Sequence, residues 1–209
     1  MSRPTLVVGD VHGCGAELGA LLRLAGDCDL VLVGDLFTKG PDPVQVWSII
    51  EATGARATLG NHDLWMLEHR AACGEMGLPD AAFDYLAALP TTLALPGALV
   101  VHGGLHPELR EAGTPRSMAL HLRRWPDDRD RAAPFWWERL APGPLVIYGH
   151  DAARGLQDHR PRSLGLDSGC VYGGRLSGYL LEADQLLSVP AGGAYRPIQS
   201  GTAGLGWRG

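Results

Sequence analysis

In the first half of the chain, continuous runs of hydrophobic residues take turns with segments in which such residues recur at helical spacing. Thr5–Val8 and 30–33 are continuous apolar runs, which is typical of buried strands, and 55–59 predicts a third strand. Residues 17–25 place apolar side chains at helical spacing, and a second helix is predicted after Pro43. Further helices are expected at about 63–70 and 80–89. The first half is therefore predicted to consist of β-α-β units.

The second half is richer in predicted strands. Runs at 91–95 and 98–101 flank Pro96-Gly97, a turn signal that predicts a hairpin. An Arg-rich helix is expected at about 115–124, followed by a proline-rich loop. Further strands are predicted at 145–148, 163–166, 176–181 and 185–189. The combination predicts an α/β (α+β) fold in which two sheets pack face to face with helices outside.

The end of the chain has a different composition. We expect one domain over residues 1–190. The following stretch, 191–209, is rich in glycine and has little apolar surface to bury. It is therefore expected to be a loose, Gly-rich C-terminal tail.

Composition limits the possible function classes. The 209 residues carry a net charge of −5 without a long Lys/Arg run, which argues against a stable nucleic-acid complex. A small anionic substrate stays possible, because local metal charge can outweigh net charge. No apolar run approaches the ~18 residues of a membrane span, and no signal-peptide pattern is visible. The four scattered cysteines predict reduced thiols and therefore a cytoplasmic location. We also expect a monomer without a membrane partner.

Five short polar blocks stand at or just after predicted strands, where open α/β sheets gather ligands. They are GDVHG at 9–13, GD at 34–35 running to KG at 39–40, GNHD at 60–63, VHGG at 101–104 and YGH at 148–150. Asp, His and Asn together form the ligand set of hydrolytic metals. Any one of these residues alone would more often be a turn or cap residue. Together, the five blocks predict one two-metal site.

The order of the blocks resembles the metallophosphoesterases of the phosphoprotein phosphatase superfamily. Two further segments, GLDSGCVYGG at 165–174 and GHDAARGLQ at 149–157, narrow the resemblance. They are similar to segments of the bacterial symmetrical diadenosine tetraphosphate hydrolases and the ApaH-like phosphatases related to them. The resemblance covers about 5–190 and implies a calcineurin-like sandwich of two mixed β-sheets flanked by helices. Its motifs are more specific for fold and metals than for substrate.

The resemblance also implies two adjacent divalent metal ions. One would be held by Asp10 and His12, the other by Asn61, His102 and His150, with Asp35 bridging. Two such ions can hold a hydroxide between them and clamp a phosphoryl oxygen. Imidazole and carboxylate ligands suit Mn²⁺, Fe²⁺, Co²⁺ or Zn²⁺. Mn²⁺ is the metal that we expect, with Mg²⁺ as a further alternative.

The residues beside the ligands are candidates for catalysis. His62 resembles the general acid of the family, and Asp63 either orients it or caps the next helix. The protein phosphatase branch has Asp-Arg before a glycine where this chain has Thr38-Lys39-Gly40. The missing Asp normally orients the acid, so we expect general-acid assistance to be weak. Lys39 would bind phosphate as a point charge rather than as a fork.

Three further side chains are candidates for substrate binding. Arg123 and Arg124 lie between the HGG and GH blocks, where the family carries a phosphate-binding Arg, and Arg124 is our prediction. Arg154 is predicted to contribute as well, although these arginines could equally be solvated surface charges. Tyr172 could stack on a base, but aromatic residues are more often core or loop anchors.

These features predict a two-metal hydrolase that cleaves diadenosine tetraphosphate symmetrically to two ADP. ADP leaves as a stable anion, whereas a serine alkoxide needs a proton, so a weak general acid favours a phosphoanhydride substrate. A Ser/Thr/Tyr protein phosphatase, a polyphosphatase and an enzyme acting on capped RNA ends are alternatives on the same site. A regulatory module without catalysis is a further alternative, but the chain retains all six ligands.

Overall fold

Ten strands form two mixed sheets in residues 3–197, the part of the chain that the computed structural model describes. They are β1 Thr5–Val8, β2 Asp29–Leu32, β3 Arg56–Ala57, β4 Thr92–Leu95, β5 Ala98–Val101, β6 Leu145–Tyr148, β7 Gln157–His159, β8 Ser163–Gly165, β9 Arg175–Leu180 and β10 Gln185–Pro190. The first sheet has the order β10-β9-β1-β2-β3. The strands β1, β2 and β3 pair in parallel, and β9 pairs antiparallel with β1 and β10.

The second sheet has the order β4-β5-β6-β8-β7. Its three inner strands, β5, β6 and β8, pair in parallel, while β4 and β7 are antiparallel edges. The carboxyl ends of these inner strands therefore lie together at one end of the sheet, along the strand direction. The first sheet has the same arrangement at β1 and β2.

Five α-helices cover these sheets in the described part of the chain: α1 Gly15–Ala25, α2 Pro43–Thr53, α3 Asn61–Glu68, α4 Asp80–Ala88 and α5 Arg116–His121. The start of α2 shows how the sequence sets a boundary. The Asp42 side chain accepts a hydrogen bond of 2.8 Å from the Gln45 amide, and Pro43 fills the first helical position, where its missing N–H costs nothing.

The hydrophobic core has three layers. The middle layer joins the inner faces of the two sheets through residues such as Val7, Val31, Val100 and Ile147. A second layer packs the first sheet against its helices, and a third packs the second sheet against the loop around Trp136. The expected sandwich of two mixed sheets flanked by helices is confirmed.

Several element boundaries differ from the sequence-based expectation. The third strand keeps only Arg56–Ala57 of the predicted 55–59, and α5 ends at His121, before the arginines at 123 and 124. The edge strand β7 was not predicted, because Gln157–His159 has no apolar residue. No helix in the described residues is long and apolar enough to cross a membrane.

The beginning of the segment expected to be a loose tail is attached to the domain. The amides of Ala191 and Arg196 donate to the carbonyls of Gly174 and Val171, each at 3.0 Å. The expectation is therefore wrong for residues 191–196. The rest of the expected tail, from 198 onward, lies outside the described residues, and the domain boundary at 190 stays a prediction.

Candidate metal centre

The six predicted ligands occupy the loops at the carboxyl ends of five strands. Asp10 and His12 follow β1, Asp35 follows β2, Asn61 begins α3 after β3, His102 follows β5, and His150 follows β6. Asp10, His12, Asp35 and His102 are all at most 5% exposed. The two sheets therefore bring ligands from both halves of the chain to one buried place.

Three of the ligands lie in the left-handed backbone region. The φ angles are 46° at His12, 54° at Asp35 and 71° at His150, and Lys39 beside them has 72°. Such conformations cost a non-glycine residue of order 1 kcal/mol or more and persist only where the surrounding structure holds them. Strained residues of this kind cluster at functional sites.

Two glycines allow the ligands to approach one another. A Cβ on Gly149 would lie 2.0 Å from Asp10 Oδ1, and a Cβ on Gly60 would lie 2.2 Å from Asp35 Oδ1. Any larger residue would therefore displace a ligand carboxylate. This is why glycine precedes His150 and Asn61 in the sequence.

Asp35 stands between the two halves of the site. Its Oδ2 is 3.5 Å from His12 Nε2, and its Oδ1 is 3.4 Å from His102 Nε2. His12 belongs to the first sheet and His102 to the second. The two carboxylate oxygens thus face different histidines, an arrangement that fits a bridging ligand.

Three lone pairs converge at Asn61. The His102 Nδ1–H donates to the Val33 carbonyl at 3.0 Å, so its Nε2 presents a lone pair to Asn61 Oδ1 at 2.9 Å. The His150 Nε2–H donates to the His121 carbonyl at 3.2 Å, so its Nδ1 presents a lone pair to the same oxygen at 2.8 Å. Three acceptor atoms this close to one another suit a cation placed among them. The donor set therefore fits a metal ion.

The pKa values of the histidines support the same conclusion. Burial lowers the pKa of His12 and of His150 well below the usual value, with contributions from the charges of Lys39 and Arg123 respectively. Burial also lowers the pKa of His102. These imidazoles are consequently neutral near pH 7, which is the form that binds a metal.

Asp167 adds a further acidic group to the ligand carboxylates. Burial raises the pKa of Asp167 to about 7, and the charge of Asp35 adds to the shift. Burial, followed by the charges of Asp167 and Asp35, raises the pKa of Asp10 well above the usual value. Three buried carboxyl groups in one place form an environment that a divalent cation would stabilise.

Lys39 and Thr38 both contact His12. Lys39 Nζ lies 3.2 Å from His12 Nε2 and 5.5 Å from the centre of the Tyr172 ring. The Thr38 hydroxyl lies 3.1 Å from His12 Nδ1. The loop at 38–40 therefore contacts both ring nitrogens of His12 and places the Lys39 ammonium beside the ligands.

His62 and Asp63 have different surroundings. The His62 ring is 5.2 Å from the His12 ring, and burial lowers the pKa of His62 to about 4. The carboxylate of Asp63 is fully buried and accepts from the amides of Gly60 at 2.9 Å, Asp35 at 2.7 Å and Leu36 at 2.9 Å. Of the two roles weighed for Asp63, these contacts support capping, and they tie the Asp35 loop to α3.

The structure separates the candidate arginines. Arg123 Nη2 donates to the His150 carbonyl at 3.1 Å, and its Nε is 3.8 Å from Asp151 Oδ1. Arg124 instead donates to the Ala133 carbonyl and stacks 4.1 Å above the Phe135 ring. Arg154 also stacks on Phe135, at 3.6 Å. Arg123, and not the predicted Arg124, is therefore the arginine in contact with a ligand residue.

Sequence reasoning did not select Asp167, His121 or Arg123. Asp167 lies just beyond β8, the same position relative to a strand as the ligands, and this could have identified it. The His121 carbonyl accepts a hydrogen bond from His150 Nε2. Its contribution comes from the main chain, so the residue type carried no signal.

Comparisons with known proteins agree with this geometry. The family model described as calcineurin-like phosphoesterase matches residues 3–188. The chain is 30% identical to a symmetrical bis(5'-nucleosyl)-tetraphosphatase of Burkholderia mallei, covering 90% of this chain and 93% of the relative. It is 27% identical to the corresponding protein of Ralstonia nicotianae, covering 91% and 92%. A crystal structure of a candidate diadenosine tetraphosphatase superposes with a TM-score of 0.83 at 33% identity, covering 91% and 95%.

Proposed function

The chain belongs to the calcineurin-like phosphoesterase family, and from this we propose that it is a two-metal hydrolase that cleaves diadenosine tetraphosphate symmetrically to two ADP. The observation that carries the proposal is the convergence of three lone pairs at Asn61 beside the carboxylate of Asp35. The substrate is suggested by the symmetrical bis(5'-nucleosyl)-tetraphosphatases that resemble the chain over nine-tenths of its length.

Two divalent ions fit the six ligands. Following the ligand pattern of the resembled family, Asp10 and His12 would hold one ion, Asn61, His102 and His150 the other, and Asp35, whose two oxygens face His12 and His102, would serve both. When bound, the ions would supply Lewis-acid activation of water and of a phosphoryl oxygen. We propose Mn²⁺ as the working metal. The mixture of carboxylate, amide and imidazole donors suits this ion better than it suits a soft metal, which would prefer thiolate ligands.

The side chains around the ions have separate tasks. Lys39 would attract a phosphate as a point charge, and Arg123 would offer a second cation at the opposite ligand, His150. As the phosphoanhydride bond breaks, water would supply the new oxygen on phosphorus and ADP would leave as an anion, to which His62 would give only weak general-acid assistance. Asp63 would keep the Asp35 loop in place through three amide hydrogen bonds.

The properties of His62 favour a phosphoanhydride over a phosphoester. A pKa of about 4 leaves His62 largely unprotonated near pH 7. The Thr38 hydroxyl contacts His12 at the place where the protein phosphatase branch is expected to have an Asp that orients the acid. Such an acid gives little assistance to an alkoxide, but ADP leaves as a stable anion without it.

Product analysis under Mn²⁺ tests the proposal. Diadenosine tetraphosphate, inorganic polyphosphate, a capped RNA end and a phosphoserine peptide are compared at equal phosphorus concentration, before and after chelation. We expect fastest turnover of the dinucleotide, with ADP as the single nucleotide product, and its loss on chelation. ATP and AMP as products would contradict symmetrical cleavage, and faster turnover of another substrate would identify that alternative as the function.

The cell compartment and the oligomeric state are also proposals. All four cysteines are free and buried in the described structure. Free thiols suit the reducing environment of the cytoplasm, which we propose as the location. We propose a monomer as the working state, which the mass measured in solution would test.

A further inference from the structure

The segment that follows β10 crosses the domain beside the metal centre. We call residues 191–197 the C-terminal strap. Its backbone pairs with the loop at 169–174 through Ala191 N to Gly174 O and Arg196 N to Val171 O, and through a bridge between Ala194 and Tyr172. These contacts hold the strap over its whole length.

A buried carboxylate fixes the middle of the strap. Glu17, in the first turn of α1, is 5% exposed. Its Oε1 accepts from the Gly192 amide at 2.8 Å and from the Tyr195 hydroxyl at 2.7 Å. The helix α1 begins three residues after His12, so the helix that binds the strap through Glu17 is also the one that continues from the ligand loop.

The strap reaches the backbone of Lys39. Arg196 Nε donates to the Lys39 carbonyl at 3.1 Å. Lys39 has a φ angle of 72°, a strained conformation that needs neighbouring groups to hold it. Tyr172, which lies under the Lys39 ammonium, pairs with Ala194 of the strap. Both the backbone and the side chain of Lys39 are thus in contact with the strap or with its direct neighbour.

Among the described residues, 3–197, the two Nη groups of Arg196 have no hydrogen-bond partner. Arg196 is exposed. Within residues 3–197, its side chain makes one hydrogen bond, from Nε to the Lys39 carbonyl. None of the salt bridges between described residues includes it. A guanidinium can bind phosphate oxygens through two parallel N–H groups, so the Nη fork is available beside the Lys39 loop.

We propose that Arg196 is a phosphate-binding residue for substrates with more than one phosphate. Its Nε holds the Lys39 loop, and its Nη groups bind a phosphate of the polyphosphate chain next to the one at the metal centre. The inference rests on the proposed function, because only a polyphosphate extends beyond the first phosphate. The proposed ions, Lys39 and Arg123 all lie around the ligand residues, so a phosphate farther along a chain of four would gain from a further cation.

The test compares Arg196→Ala, Arg196→Lys and Arg196→Gln with the wild type. Arg23→Ala is the matched control, since Arg23 is an exposed arginine in the last turn of α1. For Arg196→Ala we expect the KM for diadenosine tetraphosphate to rise about 10-fold or more, as for a lost charge-assisted hydrogen bond. The KM for p-nitrophenyl phosphate, which has a single phosphate, should rise much less, because only the support of the Lys39 loop is lost for that substrate. Arg196→Lys should restore part of the loss and Arg196→Gln should not.

Three results would overturn the proposal. Equal losses on both substrates would mean that Arg196 only supports Lys39, and so would full restoration by Arg196→Gln. Wild-type kinetics in Arg196→Ala would exclude any role. The melting temperature of each variant shows whether the strap still folds against the domain.

A binding measurement separates this proposal from the proposed function. Calorimetry with inorganic tripolyphosphate requires no turnover, and Arg196→Ala should bind it about 10-fold more weakly than Arg23→Ala does. If the wild type fails to cleave the dinucleotide but this difference is present, the proposed function is wrong and the phosphate site stands. Equal affinities would remove the phosphate site, whatever the enzyme cleaves.

Discussion

Asn61 and His150 face each other with two acceptors, Oδ1 and Nδ1, at 2.8 Å. The opposite ring nitrogen of His150 donates to the His121 carbonyl, and burial lowers the pKa of His150 well below the usual value. A proton is therefore not what joins the two atoms near pH 7. The pair fits the proposed metal ion, and so does His102, whose Nε2 lies 2.9 Å from the same Asn61 oxygen.

Mutation of the shared ligand should release more metal than mutation of a ligand that serves one ion. Asp35→Asn removes the charge shared by both halves, so we expect loss of both ions and of nearly all activity. Asn61→Ala removes a ligand of one half, and we expect one ion to remain at Asp10 and His12. Metal equivalents measured after dialysis in Mn²⁺ check this, with exposed Asp27→Asn as the charge control. Two retained ions and full turnover in Asp35→Asn would contradict the bridging role.

His62 should matter more as the leaving group becomes more basic. His62→Asn should slow an alkyl phosphate about 10²–10⁴-fold if its proton is needed, but p-nitrophenyl phosphate much less, because nitrophenolate leaves without protonation. Rates on the two substrates at the same pH and Mn²⁺ concentration measure the difference. Equal losses would show that His62 acts by position or electrostatics instead.

Lys39 should contribute its charge to substrate binding rather than to metal binding. Lys39→Ala should lower kcat/KM for diadenosine tetraphosphate about 10-fold or more with both ions retained, and Lys39→Arg should recover part of the loss. Kinetics and metal content are measured on the same preparations. Unchanged kinetics would mean that Lys39 is a solvated loop charge, and loss of metal would show a structural role.

Arg123 and Arg124 form a matched pair of neighbouring arginines. Arg123→Ala should lower kcat/KM about 10-fold or more, because its guanidinium lies at His150 and would contact phosphate. Arg124→Ala should leave kcat/KM close to wild type, since Arg124 contacts Ala133 and Phe135. Steady-state kinetics of the two variants show which substitution lowers kcat/KM more. The reverse order would return the phosphate-binding role to Arg124.

Asp63 should be needed for stability. Asp63→Ala leaves three buried amides without their acceptor, so we expect the free energy of unfolding to fall by about 2–4 kcal/mol. Asp63→Asn keeps one acceptor oxygen and should lose less. Urea unfolding of metal-free protein measures the effect, with His62→Asn as the neighbouring control. Wild-type stability in Asp63→Ala, together with a loss of acid catalysis, would favour orientation of His62.

The sequence could predict that the six candidate ligands lie together, because each stands beside glycine near the end of a strand, and these strand ends meet in the fold. It could not distinguish Arg123 from Arg124, because neighbouring residues of one type have the same pattern and only packing against Phe135 separates them. It also missed the attachment of the strap. That attachment depends on hydrogen bonds to one buried residue, Glu17, and not on apolar area, which is the signal that sequence patterns carry.

The division of the ligands between the sheets has a consequence for the survival of the protein. Asp10, His12 and Asp35 extend from strands of the first sheet, and His102 and His150 from strands of the second. Bound ions would thus fasten the sheets to each other, and each ion would add about 4 kcal/mol of stability at a free metal concentration a thousand times its dissociation constant. Under metal starvation the chain would lose this stabilisation together with its activity. Its lifetime in the cell, and not only its turnover, would then follow the supply of metal.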